Sequence, residues 1–269
     1  MSEKPRLDTL LVARGLVDSR EKARALIMAG HVHLAGEPLL KPGQRVPEDA
    51  EILLREYEKK YVSRGGYKLE KALDFFSIDL SGAVCIDAGA STGGFTDCML
   101  QRGAARVYAV DVGYGQLAWS LRTDARVICL ERTNVRYLDR SHVPDPVDFV
   151  SADLSFISLG LVLRPLAALI HEGGQMVALV KPQFEAGREK VGKKGVVREP
   201  SVHREVLERV CIYAAQNGLA VLGLTHSPIL GPEGNIEFLI RLRKGDAAGL
   251  PEPDLEDVVR SAHGELKPS

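Results

Sequence analysis

Four charged residues stand among apolar or small neighbours: Lys68 in Arg64-Gly65-Gly66-Tyr67-Lys68-Leu69, Asp153 in Ala152-Asp153-Leu154-Ser155-Phe156, Lys181 in Leu179-Val180-Lys181-Pro182-Gln183-Phe184-Glu185, and Glu237 in Gly234-Asn235-Ile236-Glu237-Phe238. A charge withdrawn from water is costly unless it is paired, so lysines and acids in such settings are expected to meet one another. Any one of them alone reads as a surface salt bridge, but two lysines interleaved with two acids read together as a candidate catalytic set.

A second constellation is the run Val84-Cys85-Ile86-Asp87-Ala88-Gly89-Ala90-Ser91-Thr92-Gly93-Gly94-Phe95-Thr96. A buried strand ends near an acid, and small residues then open a helix. Backbone without side-chain bulk lets a cofactor approach the main chain, and free N–H groups at a helix start attract anions. An acid beneath the glycines suits S-adenosylmethionine, whose ammonium needs an anionic partner and whose carboxylate can use the helix start. A dinucleotide fingerprint places its first glycine directly after the strand with no acid between; here Asp87 precedes Gly89. The candidate cofactor residues are therefore Asp87, Gly89, Ser91, Thr92, Gly93, Gly94 and Phe95. Asp111 joins them, ending the next strand where an acid can hold ribose hydroxyls. Trp119, in Leu117-Ala118-Trp119-Ser120-Leu121, reads as helix packing.

These residues need a sheet to gather them. The chain has 269 residues, 45% of them hydrophobic, enough for one large core and a small accessory unit. Apolar, β-branched runs at Ala83–Asp87, Arg106–Asp111, Val127–Leu130, Val147–Asp153, Gln175–Lys181 and Ala220–Thr225 alternate with helical patterns. The expected fold class is α/β: a doubly wound, mainly parallel sheet with helices on both faces. A last strand, Ile236–Leu242, can pair as a hairpin with the one before it. Asp87, Asp111, Asp153 and Lys181 then fall at the carboxyl ends of strands, where ligands of such sheets bind.

The first 58 residues read as a separate small α+β module. Apolar spacing marks a helix over Leu7–Gly15, and a second starts at the cap Ser19 and stops at Gly30. Short strands follow at His31–Leu34, before a turn at Ala35-Gly36, and at Ile52–Leu54. Residues 59–62 read as a linker, 63–246 as the catalytic domain and 247–269 as a loosely ordered tail. Arg20, Lys22, Arg24, Lys41 and Arg45 form a candidate basic patch against phosphates, diluted by Glu21, Glu37 and Glu48.

Net charge of −1 argues against the overall basic field of a protein that wraps long nucleic acid. Cys85, Cys98, Cys129 and Cys211 have no metal-ligand spacing and read as reduced core thiols. His31 and His33 share one strand face but lack further ligands, so no metal is expected. The polar start and the absence of a long apolar run point to a soluble, cytoplasmic chain with no membrane partner. No exposed apolar stripe marks a dimer face, and a monomer is expected.

The sequence resembles the TlyA family, haemolysin-like ribosomal RNA 2′-O-methyltransferases with an FtsJ-type catalytic domain. The resemblance covers nearly the whole chain. It is carried by Val62-Ser63-Arg64-Gly65-Gly66 with Lys68-Leu69, by Asp87 to Thr96, Asp111-Val112-Gly113-Tyr114-Gly115-Gln116-Leu117 and Glu131-Arg132-Thr133-Asn134, and by Ala152 to Ser158 and Val180 to Glu185. It implies a Lys-Asp-Lys-Glu tetrad at Lys68, Asp153, Lys181 and Glu237, with Lys181 as base or as hydroxyl-orienting group. It implies S-adenosylmethionine as cofactor and a place for Asn134 beside it, although a helix-capping role fits Asn134 equally. The N-terminal module resembles the RNA-binding fold of small-subunit ribosomal protein four. That likeness implies ribosomal RNA or ribosomal subunits as partner, with Arg64 added to the RNA-binding set and a cytidine 2′-hydroxyl as the methyl acceptor. Lys59-Lys60-Tyr61-Val62 departs from the basic residue and Trp-Val found in linkers of the family. A membrane-damaging protein and a noncatalytic ribosome-assembly factor are the alternatives; the first lacks a membrane helix, and the second would have lost a tetrad member.

Overall fold

The computed structural model describes residues 4–28, 31–34, 40–54, 60–192, 194–245 and 254–266. The expected helix stop at Gly30, the Ala35-Gly36 turn and residue 59 lie outside these. Contacts divide the chain into two compact units, the first ending at Lys60 and the second beginning at Tyr61.

In the first unit, helices α1 (Leu7–Ala13) and α2 (Arg20–Met28) pack together, and strands β1 (Val32–Leu34) and β2 (Ile52–Leu54) pair antiparallel. Leu7, Leu10, Leu11, Ala23, Ile27, Val32 and Val46 make its core. Ser19 caps α2, its Oγ accepting the Lys22 N–H at 3.2 Å. Asp8 is fully buried, and Arg6 and Arg20 reach it at 3.0 and 3.2 Å. The guanidinium of Arg6, with that of Arg20, holds the Asp8 carboxyl well below the usual carboxylate range.

The second unit is built on a seven-stranded sheet. Its elements in chain order are α3 (Gly65–Phe75), β3 (Val84–Ala88), α4 (Gly94–Gln101), β4 (Arg106–Val110), α5 (Trp119–Arg122), β5 (Val127–Leu130), β6 (Val147–Ala152), α6 (Leu163–Leu169), β7 (Ile170–Val180), α7 (Pro182–Glu185), α8 (Pro200–Gln216), β8 (Leu219–His226), β9 (Phe238–Lys244) and α9 (Leu255–Glu265). The order across the sheet is β5-β4-β3-β6-β7-β9-β8. All neighbours are parallel except β9, which runs antiparallel to both β7 and β8. The sheet is therefore doubly wound, and its order turns back between β3 and β6.

Alternation along the strands feeds two cores. Ile86, Ala88, Val150 and Ala152 face α6, α8 and α9 through Leu163, Leu166, Val206 and Val259. Cys85, Phe149, Val177 and Leu179 face α3 and α4 through Leu69, Leu73, Cys98 and Met99. Burying both faces explains why the strands read as near-continuous apolar runs.

The boundaries differ from the sequence expectation in two places. Tyr61 is only 1% exposed, its ring packs on Tyr67 with centroids 5.3 Å apart, and Val62 N–H donates to Asp97. Tyr61 and Val62 thus belong to the second unit and not to a linker. The tail contains α9, capped by Asp254, whose side chain accepts the Asp257 N–H, with Val259 and Ala262 buried. Its acidic residues dilute the average hydropathy, but the apolar ones recur on one face, which is enough to dock a helix.

Candidate active site

The turn after β3 sits at the point where the sheet order reverses. Asp153 N–H donates to the Ala88 carbonyl at 2.9 Å, and a Cβ on Gly89, at φ +90°, would lie 2.4 Å from the Asp153 carbonyl oxygen. Gly89 is thus required by the close approach of the β3 and β6 ends. Asp111 braces the turn: one carboxylate oxygen accepts the Ser91 N–H at 2.8 Å and the other the Gly113 N–H at 2.7 Å. Ser91 itself is held at φ +49°. Thr92 is exposed beside it, and Phe95 is buried against the same cleft.

Two expectations, for Asp87 and for Trp119, are corrected. Asp87 does not reach the cleft: it is fully buried, and Thr96 N–H and Oγ1 donate to one oxygen at 2.8 and 2.6 Å while Ser151 Oγ donates to the other at 3.2 Å. It secures the start of α4, and burial pushes its carboxyl up to about 6. Gly93 and Gly94 also answer to packing, since Cβ atoms there would meet Leu121 Cδ1 at 2.3 Å and Ser63 Oγ at 2.2 Å, and Gly94 borders the cleft beside Thr92 and Phe95. That closeness is what brings the start of α3, and with it Lys68, against the loop. Trp119 does not pack; it is 75% exposed at the start of α5.

The four charged residues assemble from separate elements at one end of the sheet. Lys181 follows the last residue of β7 and Glu237 precedes β9, and the pairing of Val180 with Phe238 puts both at the same edge. Glu237 is fully buried, and Lys68 Nζ donates to its Oε2 at 2.6 Å. Lys181 Nζ lies 2.6 Å from Asp153 Oδ1, an ion pair off the line of a good hydrogen bond, and donates to Ser155 Oγ at 3.0 Å. Lys68 and Asp153 line one pocket of about 450 Å³ together with Arg64, Thr92 and the turn Ile229–Pro232. A larger pocket of about 950 Å³ shares Gly89, Ser91 and Asp153 with it and is lined by Asp111, Gln116, Asn134, Arg136, Phe156 and Arg188. Asn134 Oδ1 accepts the Arg136 N–H at 3.1 Å to cap a short turn, and the residue lines the larger pocket. Among the described residues no group of three or more His, Cys, Asp or Glu is placed to hold a metal ion.

A family model described as FtsJ-like methyltransferase matches residues 61–244. The chain belongs to the FtsJ-like methyltransferase family. An S4 domain model matches residues 5–52. The chain is 51% identical to YqxC of Bacillus subtilis over 99% of its length and 96% of that protein. It is 46% identical to the 16S/23S rRNA (cytidine-2′-O)-methyltransferase TlyA of Mycobacterium tuberculosis, over 98% of this chain and 99% of that one. A solved structure from Streptococcus thermophilus that carries a hemolysin name matches with a TM-score of 0.76 at 48% identity, covering 99% of this chain and 98% of the other.

Several residues shape the site of this FtsJ-like methyltransferase without having been singled out from sequence. Ser155 braces Lys181. Glu185, buried at the end of α7, accepts Ser158 Oγ at 2.6 Å and Leu159 N–H at 2.7 Å, and so fixes the segment that carries Asp153, Ser155 and Phe156. Phe156 is 91% exposed at φ +63°, its ring 5.1 Å from that of Phe184. A left-handed phenylalanine exposed to water is a strained arrangement of a kind that clusters at functional sites. The signal available for Ser155 and Glu185 was their place inside the Ala152–Ser158 and Val180–Glu185 motifs; the backbone of Phe156 left none.

In the S4 unit, the expected basic patch is only partly open. Arg20 pairs with buried Asp8, and Lys22 lies 2.7 Å from Asp18, so these two side chains have carboxylate partners within the fold. Arg24 and Lys41 are exposed, and Arg45 Nη1 donates to the Lys4 carbonyl at 3.0 Å. Arg64 is exposed in the second unit at the start of α3, lining the smaller pocket.

Proposed function

We propose that the chain transfers a methyl group from S-adenosylmethionine to a cytidine 2′-hydroxyl of ribosomal RNA. The observation that carries this reading is the pair of lysine–acid contacts, Lys68–Glu237 and Lys181–Asp153, beside the glycine turn at the carboxyl edge of the sheet. TlyA of Mycobacterium tuberculosis, named for this reaction, is similar over nearly the whole length.

The residues present fit the cofactor. Gly89 keeps the backbone bare at the turn, Asp111 retains lone pairs beyond the two it gives to Ser91 and Gly113, and Asn134 borders the same cleft. When bound, S-adenosylmethionine supplies an activated methyl. The chain's own residues then have to align an oxygen and dispose of a proton. Lys181, held by Asp153 and Ser155, would orient the 2′-hydroxyl; as the methyl's bond to the sulfonium sulfur breaks, leaving a neutral thioether, and its bond to this oxygen forms, the hydroxyl proton would pass to the Lys181–Asp153 pair. Lys68 and Glu237 fix the floor of the site. Phe156 offers a ring face for the cytosine taken out of its stack. Arg64, Arg136 and Arg188, which line the cleft, meet the flanking phosphates, and the S4 unit grips folded RNA through Arg24, Lys41 and Arg45.

No helix among the described residues is long and apolar enough to cross a membrane. In this reading the enzyme works in the cytoplasm as a monomer on ribosomal subunits or their RNA. Replacement Lys181→Ala is expected to abolish methyl transfer, by at least about a thousandfold, while calorimetric affinity for S-adenosylmethionine stays near wild type. Full activity in that variant would remove Lys181 from the mechanism.

A further inference from the structure

Glu237 has one carboxylate oxygen on Lys68; the other, Oε1, is buried without a hydrogen-bond partner. Directly against it runs the backbone of Gly231, where a Cβ would lie 2.2 Å from Oε1. The position of the turn that follows, Pro232–Gly234, therefore decides how closely this oxygen is packed. That turn is not relaxed: Glu233, which carries a side chain, stands at φ +56°. Such a conformation persists only where its surroundings over-determine it.

The constraint comes from Asn235, which is 2% exposed. Its Nδ2 donates to the carbonyls of Pro232 and Gly195, both at 3.0 Å, and its Oδ1 accepts the Val197 N–H at 3.1 Å. Its own carbonyl accepts the Gly231 N–H at 2.8 Å. One buried amide thus joins the turn beside Glu237 to the segment that leads into α8. The chain of bonds continues. Val197 carbonyl accepts from His203 Nε2 at 3.2 Å, which leaves His203 Nδ1 to accept from His263 Nε2 of α9 at 2.9 Å. His203 is fully buried and stacks edge-on to Phe238, the neighbour of Glu237, with centroids 5.4 Å apart. A continuous, fully bonded polar path therefore runs from the C-terminal helix to the turn that packs on Glu237.

We propose that Asn235 is a positioning residue for methyl transfer, holding the Gly231–Gly234 turn against Glu237 and anchored through His203 to the C-terminal helix α9. The inference rests on the methyl-transfer reading above only for its catalytic consequence; the mechanical coupling stands by itself. Truncating Asn235 frees the turn, lets Glu237 shift relative to Lys68, and slows the chemical step without touching the glycine turn that faces the cofactor.

The test uses the full chain with ribosomal subunits that lack the modification and methyl-labelled S-adenosylmethionine. Asn235→Ala is expected to lower the single-turnover rate by about thirtyfold while affinities for S-adenosylhomocysteine and for the subunit change less than about threefold. His203→Phe keeps the stacking on Phe238 but loses both hydrogen bonds, and is expected to lower the rate by about fivefold; His203→Gln, which offers one donor and one acceptor, should restore most of it. In hydrogen-exchange measurements, amides of residues 229–234 should exchange about tenfold faster in Asn235→Ala and His203→Phe than in wild type. If Asn235→Ala does not fold, the two His203 variants decide the matter. Unchanged exchange in this segment overturns the proposal, as does a rate loss matched by an equal loss of cofactor affinity. A wild-type protein that methylates no ribosomal RNA overturns the functional reading instead, and the exchange measurement still judges the coupling.

Discussion

The two halves of the cleft use their polar groups in opposite ways. On the glycine-turn side they are turned inward: Asp87 is saturated by Thr96 and Ser151, and Asp111 ties Ser91 to Gly113. On the lysine side the acids and amides keep capacity in reserve. Glu237 Oε1 and Gln183 Oε1 are buried without hydrogen-bond partners, and Asp153 Oδ1 has only the ion contact with Lys181. A buried acceptor left unsatisfied is expensive. Its concentration on one side sets a fully bonded cradle at the turn against a lysine side that holds unpaired acceptors at a cost, Asp153 among them at the wall of both pockets.

The strongest way to break this contrast is to ask what the Lys68–Glu237 pair contributes to stability. Glu237→Ala leaves the Lys68 ammonium buried without its counter-charge and should cost about 3–5 kcal/mol in urea denaturation. The double change Lys68→Met with Glu237→Leu fills similar space without charge and should return stability to within about 2 kcal/mol of wild type. Methyl transfer should be lost in both. A double variant as unstable as Glu237→Ala would make the pair structural and erase the distinction between the halves.

Asp87 gives the cradle its own test. In the unfolded chain its carboxyl titrates near the ordinary value of 3.8, and burial raises it to about 6 in the fold. Between these pH values the folded state binds more protons than the unfolded one, so stability falls as pH rises through the window and stays lower above it, by about 3 kcal/mol. Asn in its place can accept from Thr96 and donate to Ser151 Oγ. Asp87→Asn is therefore expected to stabilise the protein by up to about 3 kcal/mol at pH 7 and by almost nothing near pH 4. Equal effects at both values would mean that the hydrogen bonds, and not the buried charge, set the balance.

How much of this could be read from the residues follows from the range of the forces involved. Burial of both sheet faces writes itself into each strand, so Val127–Leu130 is recovered to the residue and the other strands to within two, except β7, which starts at Ile170, five residues before the expected Gln175. That Lys68, Asp153, Lys181 and Glu237 would find opposite charges was legible because isolated charges in apolar runs demand partners, and they do so as two pairs. The role of Asp87 was not, since an acid at a strand end looks the same whether it faces a ligand or a threonine nine residues on. At Gly93 and Gly94 the sequence could not show the packing demand, because a missing side chain does not say that Leu121 and Ser63 need the room. Trp119 and Phe156 were hidden because exposure of an aromatic is a property of the assembled surface. The helix at Leu255–Glu265 was missed where mean polarity outweighed a narrow apolar stripe.

The smallest effect sharpens the contrast most. Asp111→Asn retains one acceptor oxygen but sets an amide donor against either the Ser91 or the Gly113 N–H, so one of the two bonds that shape the turn is lost together with the charge. The damage stays on the cradle side, because Lys181, Asp153 and Ser155 make no contact that runs through Asp111 among the bonds described. Affinity for S-adenosylmethionine should fall about tenfold, yet the single-turnover rate at saturating cofactor should remain within about threefold of wild type. Lys181→Ala is expected to show the reverse, with binding kept and transfer lost. If both substitutions lowered affinity and rate together, binding and chemistry would share one set of residues, and the division of the cleft into a cradle and a reacting edge would fail.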